Sequence, residues 1–193
     1  GFQIADVRGQ VYVIKFDPPG HLGMTSAAAV IANRLLHAAG YNVPDDTVVE
    51  FRREQLRVGP EVRLTLDHET TRAMDDADLD RILAGVERTE EGLWRAVASK
   101  FLSGRPLGPF DYGGRRSDDP NDRVDHEDRR ELRGLRVFAA WINHFDTKRH
   151  NSLDMYVGED GEGFVRHYLI DFASTLGAGA RGPYPVFGYE YDL

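Results

Sequence analysis

His144-Phe145-Asp146-Thr147-Lys148-Arg149-His150-Asn151 is a polar stretch with the pattern H-x-D-x-K-x-x-N, and its neighbours decide how the chain is read. Before it, Glu127 to Asn143 places Leu132, Leu135, Arg136, Phe138, Ala139 and Ile142 at helical spacing. After it, Leu153 to Val157 is a strand run. A turn with Gly158, Gly161 and Gly163 leads to a second strand, Val165 to Phe172. Asp171 stands near the end of that second strand, in Leu169-Ile170-Asp171-Phe172. The order is therefore helix, polar loop, hairpin, acid.

Moving outward, the N-terminal part is strand-rich. Residues 2–7 alternate, Arg8-Gly9-Gln10 turns, and Val11-Tyr12-Val13-Ile14-Lys15-Phe16 is a β-branched and aromatic run with one lysine inside it. Asp17-Pro18-Pro19-Gly20 breaks the strand. A helix is expected over Ala27 to Ala39, capped by Thr25 or Ser26 and ended by Gly40. Thr47 to Val58 and Val62 to Leu66 read as strands split by Gly59-Pro60. Residues 67–91 are acidic and helical in part, around Leu79-Ile82-Leu83-Val86. Trp94 to Leu102 is a further strand, ended by Ser103-Gly104-Arg105-Pro106. Residues 108–125 form a Gly-, Asp- and Pro-rich loop of functional size. Strands do not alternate strictly with helices, so the expected class is α+β.

Composition narrows the chemistry. The 193 residues carry 24 Lys and Arg against 32 Asp and Glu, a net charge of -8, which disfavours general binding to a nucleic-acid backbone. There is no cysteine, which removes disulfides, thiolate zinc sites and cysteine nucleophiles. No apolar run approaches the roughly 20 residues that a membrane span requires. Arg129, Arg130, Arg133 and Arg136 mix with Glu127, Asp128 and Glu131 at helical spacing, the pattern of a paired helix face. Ser117 to Arg123 is acidic but lacks EF-hand spacing, and reads as a solvated loop placed where it could touch a substrate. The histidines show no tight ligand spacing.

The loop at 144–151 resembles the protein-kinase catalytic loop at four positions, and Ile170-Asp171-Phe172 resembles the strand-plus-Asp-Phe element that holds a metal ion. Ala173 stands where the glycine usually sits. Val13-Ile14-Lys15 resembles the strand that carries the phosphate-binding lysine. All three occur in kinase order. The 20 positions from Asn151 to Asp171, with a whole hairpin between them, are similar to the atypical branch: phosphatidylinositol-kinase-like enzymes and HipA-like bacterial kinases. The resemblance implies a two-lobed protein-kinase-like fold, with an N-lobe at 1–103 and a partial C-lobe at 104–193. It implies ATP and Mg²⁺ as cofactors and γ-phosphate transfer to a hydroxyl acceptor. Asp146 would then orient the hydroxyl and accept its proton, and Lys148 would neutralise charge on the transferred group. Asn151 and Asp171 would hold metal ions, and Lys15 the α- and β-phosphates. Ser99 to Arg105, including Phe101, would face the adenine, with Val13 and Met155 as its apolar walls. His144 would shape the loop by packing.

Each residue also has an ordinary structural use. Asp146 and Asn151 suit turns, Lys15 can run its stem along a strand, and Asp171 can simply end one. The expected helix after Lys15 offers Ala27 to Ala29 where a lysine-pairing Glu belongs, with Asn33 as the nearest polar substitute. That absence keeps a second reading open, a pseudokinase or nucleotide-binding regulatory module; a non-catalytic interaction domain is the third. The acceptor is open among protein, lipid head group and small molecule. The chain begins at Gly1 inside a strand pattern and ends at Leu193 without a closing helix. A Gly-rich hairpin is therefore expected before it and helices after it, in a cytoplasmic parent protein.

Overall fold

The computed structural model describes residues 1–65, 70–159 and 161–184. Strands β1 (Phe2–Ala5) and β2 (Val11–Phe16) form the expected hairpin, in register from Phe2↔Ile14 to Ala5↔Val11. Its turn is held by Asp6, whose Oδ1 accepts the amides of Arg8 and Gln10, both at 2.9 Å.

Helix α1 (Met24–Ala38) starts earlier than its sequence pattern suggests, and its cap comes from outside. Gly23 holds the N-cap position with a left-handed φ of 86°, and Thr25 and Ser26 lie within the first turn. The exposed amides at the helix start need acceptors. Asp17, at the end of β2, supplies them: its carboxylate accepts from the amides of Gly23 (2.9 Å) and Ser26 (2.7 Å) and from both hydroxyls. Burial works against that charge, but the Ser26 and Gly23 amides and the hydroxyls outweigh it and hold the Asp17 pKa below its ordinary value.

The next strand, β3 (Asp46–Phe51), is shorter than the expected run to Val58; a 3₁₀ turn at Arg53–Gln55 ends it. A small hairpin follows, β4 (Arg63–Thr65) with β5 (Thr71–Ala73), of which β5 lies in the stretch expected to be acidic and helical. Leu66, Asp67 and His68, like the aromatic end Gly188–Leu193, fall outside the described residues. Helix α2 (Asp76–Ala84) is closed at its start by a reciprocal box between Asp75 and Asp78. Strand β6 (Trp94–Lys100) completes a four-stranded antiparallel sheet in the order β1-β2-β6-β3.

Alternation gives this sheet two distinct faces. One buries Ile14, Ala96 and Ala98 among Phe2, Phe16 and Phe51, continuing to Leu79, Leu83 and Trp94 under α2. The other carries Val13, Lys15, Val97, Ser99 and Asp46, and turns toward α1.

The second half builds a three-stranded antiparallel sheet from β7 (Arg105–Gly108), β8 (Ser152–Val157) and β9 (Phe164–Leu169). Strand β7 belongs to a stretch with no strand signal, since Gly and Pro flank it. Helix α3 (Arg130–Trp141) is preceded by a 3₁₀ turn at His126–Asp128. It buries Leu135 and Ala139, with Ile142 just beyond its end, at spacings of four and three residues. Two short strands, β10 (Ala178–Gly179) and β11 (Gly182–Pro183), pair near the end of the described chain. The main core joins both halves: Ala29, Ala32 and Leu36 of α1 meet Val97, Phe110, Leu135, Ile142, Leu169 and Phe172.

The acidic loop before α3 is mostly exposed, as its composition suggests, but it is anchored at Asp122. The Asp122 side chain is 5% exposed and accepts from the Arg116 amide (2.6 Å), His126 Nε2 (2.8 Å) and Arg129. Arg116 also reaches Asp154 on β8, which is 1% exposed and accepts from His167 Nδ1 at 2.5 Å as well. These pairings consume the carboxylates locally. The arginines of α3 contribute less to helix-face pairing than their spacing suggests, since Arg129 turns to Asp122 and Arg133 to the Asp128 carbonyl.

Candidate functional site

The 144–151 loop closes on itself. Thr147 Oγ1 donates to the His144 carbonyl (2.7 Å), the Lys148 amide to the Asp146 carbonyl (2.8 Å) and the Asn151 amide to the Lys148 carbonyl (2.8 Å). Asn151 Nδ2 donates twice to Asp146, to its carbonyl (2.8 Å) and to Oδ2 (2.9 Å). Lys148 Nζ lies 3.2 Å from Asp146 Oδ1. The carboxylate of Asp146 is thus held from both sides by the two residues that the sequence pattern groups with it. Asn151 spends Nδ2 there, so Oδ1, the ligating atom of an asparagine, is not consumed by the pair.

His144 is 3% exposed and packs edge-on against Phe172, ring centres 5.8 Å apart. Burial drives its pKa down, against weaker upward pulls from the Ser174 carbonyl and the Asp146 and Asp171 charges. A neutral, packed imidazole at this point locks the loop against the segment after β9. The backbone adds another tie, from the Ile170 amide to the Asn151 carbonyl (2.9 Å).

Asp171 follows β9 with φ of 63°, the left-handed region that Asp tolerates better than most residues. This conformation carries its carboxylate to the other sheet, where Oδ2 is 2.7 Å from Lys15 Nζ. Asn33 does not partner the lysine, because its amide donates to the Pro44 carbonyl at 2.8 Å inside the core.

Between the two sheets lies a cavity of about 410 Å³. Val13 and Lys15 line it from β2, Val97 and Ser99 from β6, and Lys100, Phe101 and Leu102 from the crossover to the second half. Met155 and Leu153 line it from β8, and Asn151 and Asp171 from the two loops. All six sequence-selected binding and metal residues line it: Val13, Lys15, Phe101, Asn151, Met155 and Asp171. Met155 is buried whereas Phe101 is 43% exposed, as befits a residue at the mouth. Asp146 and Lys148 do not line the cavity; they adjoin it through Asn151.

One lining residue escaped the sequence reading. Asp46 opens β3 and is 4% exposed, and its Oδ1 has no hydrogen-bond partner among the described residues. Burial raises its pKa, partly countered by the Ser99 hydroxyl and by Lys15. Pro44-Asp45-Asp46 looks like turn chemistry in sequence. Its only other signal is period two: Asp46 falls in phase with Val48, on the face shared with Val97 and Lys15.

A divalent cation is testable against these donors. Mg²⁺ prefers oxygen ligands and commonly takes one or two from protein, the rest from phosphates and water. Asn151 and Asp171 on one wall suit that partial set. No group of three or more His, Asp or Glu side chains able to hold a metal by themselves occurs among the described residues. No helix among them is long and apolar enough to cross a membrane. No protein-family model, no curated protein and no solved structure matches the chain.

Proposed function

We propose that this chain is an ATP- and Mg²⁺-dependent phosphotransferase of the atypical kinase type, passing the γ-phosphate to a hydroxyl acceptor. In this reading residues 1–103 form an N-lobe, residues 104–193 part of a C-lobe, and the cavity between the sheets takes the nucleotide. The observation that carries it is convergence. Lys15, Asn151 and Asp171, 156 positions apart at the extremes, line one cavity whose remaining wall is largely apolar.

The parts divide the work as phosphoryl transfer requires, by positioning and charge neutralisation. Val13 and Met155 offer apolar surfaces for a base, and Lys100 to Leu102 offer backbone at its edge. Lys15 holds phosphate oxygens, for which Asp171 now substitutes as the anionic partner. Mg²⁺, held by Asn151 Oδ1 and Asp171, would neutralise phosphate charge when bound. Asp146, gripped by Asn151 and Lys148, is oriented to accept the acceptor's proton, and Lys148 is poised to meet charge that develops on the transferred group. The acceptor is a hydroxyl on a protein, a lipid head group or a small molecule.

The pseudokinase reading keeps one specific support: α1 carries no acidic residue to pair with Lys15. Hydrolysis of, or transfer from, [γ-³²P]ATP with Mg²⁺ by the protein separates the two. Turnover that disappears in Asp146→Asn supports the enzyme; stabilisation by Mg·ATP without turnover supports the regulatory module. Absence of both overturns the nucleotide reading.

A further inference from the structure

Asp46 is a buried carboxylate whose Oδ1 has no hydrogen-bond partner among the described residues, and it lines the cavity. An unpaired carboxylate oxygen out of water is costly, and one kept in a native structure calls for a role, a bound partner among them. Its position defines what it would meet. Strand register sets Val13, Ser99 and Asp46 in one row across β2, β6 and β3, and Lys15 with Val97 and Val48 in the next. The Asp46 row is one residue from Lys100, where the chain leaves the sheet toward Phe101 and Leu102 on the cavity rim. In that row Ser99 stands between Val13 and Asp46, and its hydroxyl is the neutral group that most lowers the carboxylate's pKa, against the rise that burial causes. The charges that face Asp46 are Lys15, favourable, and Asp171, unfavourable.

A carboxylate oxygen only accepts, so the edge that meets it must donate. On the proposal that the cavity holds a purine nucleoside triphosphate, we infer that Asp46 reads the base: its Oδ1 accepts a hydrogen bond from the exocyclic 6-amino group, selecting adenine over guanine. Guanine puts a carbonyl at that position, and two acceptors would face each other without a proton between them. Sites that use a buried polar group in this way reject a mismatched ligand strongly, because rejection leaves that group unpaired.

The test is competition binding with a fluorescent ATP analogue, using ATP, GTP and purine riboside triphosphate, which has hydrogen at C6. Wild-type protein should bind ATP at least about tenfold tighter than GTP. In Asp46→Asn the new amide can donate to a 6-carbonyl, and the ATP:GTP ratio should fall at least about fivefold. The penalty for deleting the 6-amino group should shrink with it. Both ratios compare ligands on one sample, so general damage to the site cancels. Asp46→Ser serves if the asparagine variant does not fold. Equal ATP and GTP affinity in the wild type, or a ratio unmoved by either substitution, overturns the base-reading role and leaves the nucleotide proposal standing. If neither a nucleotide nor inorganic tripolyphosphate binds, both fall.

Discussion

Lys15 Nζ and Asp171 Oδ2 are 2.7 Å apart, joining β2 of one sheet to the segment that leaves β9 of the other. The pair sits in the wall of the cavity, and both side chains are more than a third exposed. An ion pair this wet contributes little to stability, commonly under about 1 kcal/mol. Its interest is therefore as a resting arrangement of two groups that a phosphate and its cation would separate.

Lys15→Met should accordingly leave the melting temperature of the unliganded protein nearly unchanged and lower phosphate transfer by roughly 100-fold or more, the scale of removing one aligned charge from a phosphoryl site. Calorimetry and initial rates on the same preparation check it. A large loss of stability with little loss of rate would make the lysine structural.

Asp146→Asn should reduce kcat by about 10² to 10⁴ while Mg·ATP still protects the protein thermally, because Asp146 adjoins the cavity without lining it. Lys148→Ala should lower kcat less than Asp146→Asn does.

Gly104 has φ of 106°, and a Cβ there would stand 2.4 Å from the Tyr156 carbonyl oxygen. Gly104→Ala must shift the β7–β8 contact at the cavity rim, at a cost of about 1–3 kcal/mol. Urea unfolding should show a lower midpoint, and nucleotide affinity should fall with it. Gly114 also has a positive φ, 69°, but nothing within 4 Å of a Cβ, so Gly114→Ala should cost less.

Asp17 gives a pH dependence of known sign. Its folded pKa lies below the ordinary 3.8, so its contribution is complete above that value and is lost as pH falls through the folded one. Asp17→Asn should destabilise the protein by about 1–2 kcal/mol at neutral pH, and the gap in melting temperature should close as pH falls below 3.8 through the lowered folded pKa. Asp46 has the opposite sign. Its folded pKa is raised, so it lowers stability as pH rises above 3.8. Asp46→Asn should stabilise the unliganded protein at pH 7 more than at pH 4.

Arg116→Ala would leave Asp154, 1% exposed, with His167 as its remaining partner. Removing one side of a buried charged pair typically costs about 3–5 kcal/mol. It also releases the 109–125 loop from β8, so limited proteolysis should cut between Asp111 and Arg123 in the variant well before the wild type.

Much of the local structure was legible in the sequence. The β1–β2 hairpin, the α3 periodicity and the β8–β9 hairpin follow from periods of two and 3.6 with clear turn residues between them. The grouping of Asp146, Lys148 and Asn151 was legible because the three lie within six residues, where local hydrogen bonds decide geometry. What failed had a shared cause. Strand β7, written Arg105-Pro106-Leu107-Gly108, has no strand propensity and exists because β8 supplies its hydrogen bonds. The α1 cap was misassigned because its acceptor, Asp17, lies in the preceding strand end rather than at the helix start. Asp46 carries no local signal of a site; pairing with Ser99 is what puts it on the cavity face.

An acidic, cysteine-free α+β chain with a polar loop after a helix and an acid at the end of the following hairpin is readable from sequence, since composition and nearest-neighbour chemistry settle such features. Tertiary structure alone brings Lys15 to Asp171, turns Asn33 to the Pro44 carbonyl instead of the lysine, and sets Asp46 on the cavity face beside Ser99. Those relationships depend on strand register and on two sheets packing against α1. Contacts between residues far apart in the chain are fixed by how the buried faces fit, which no local pattern encodes.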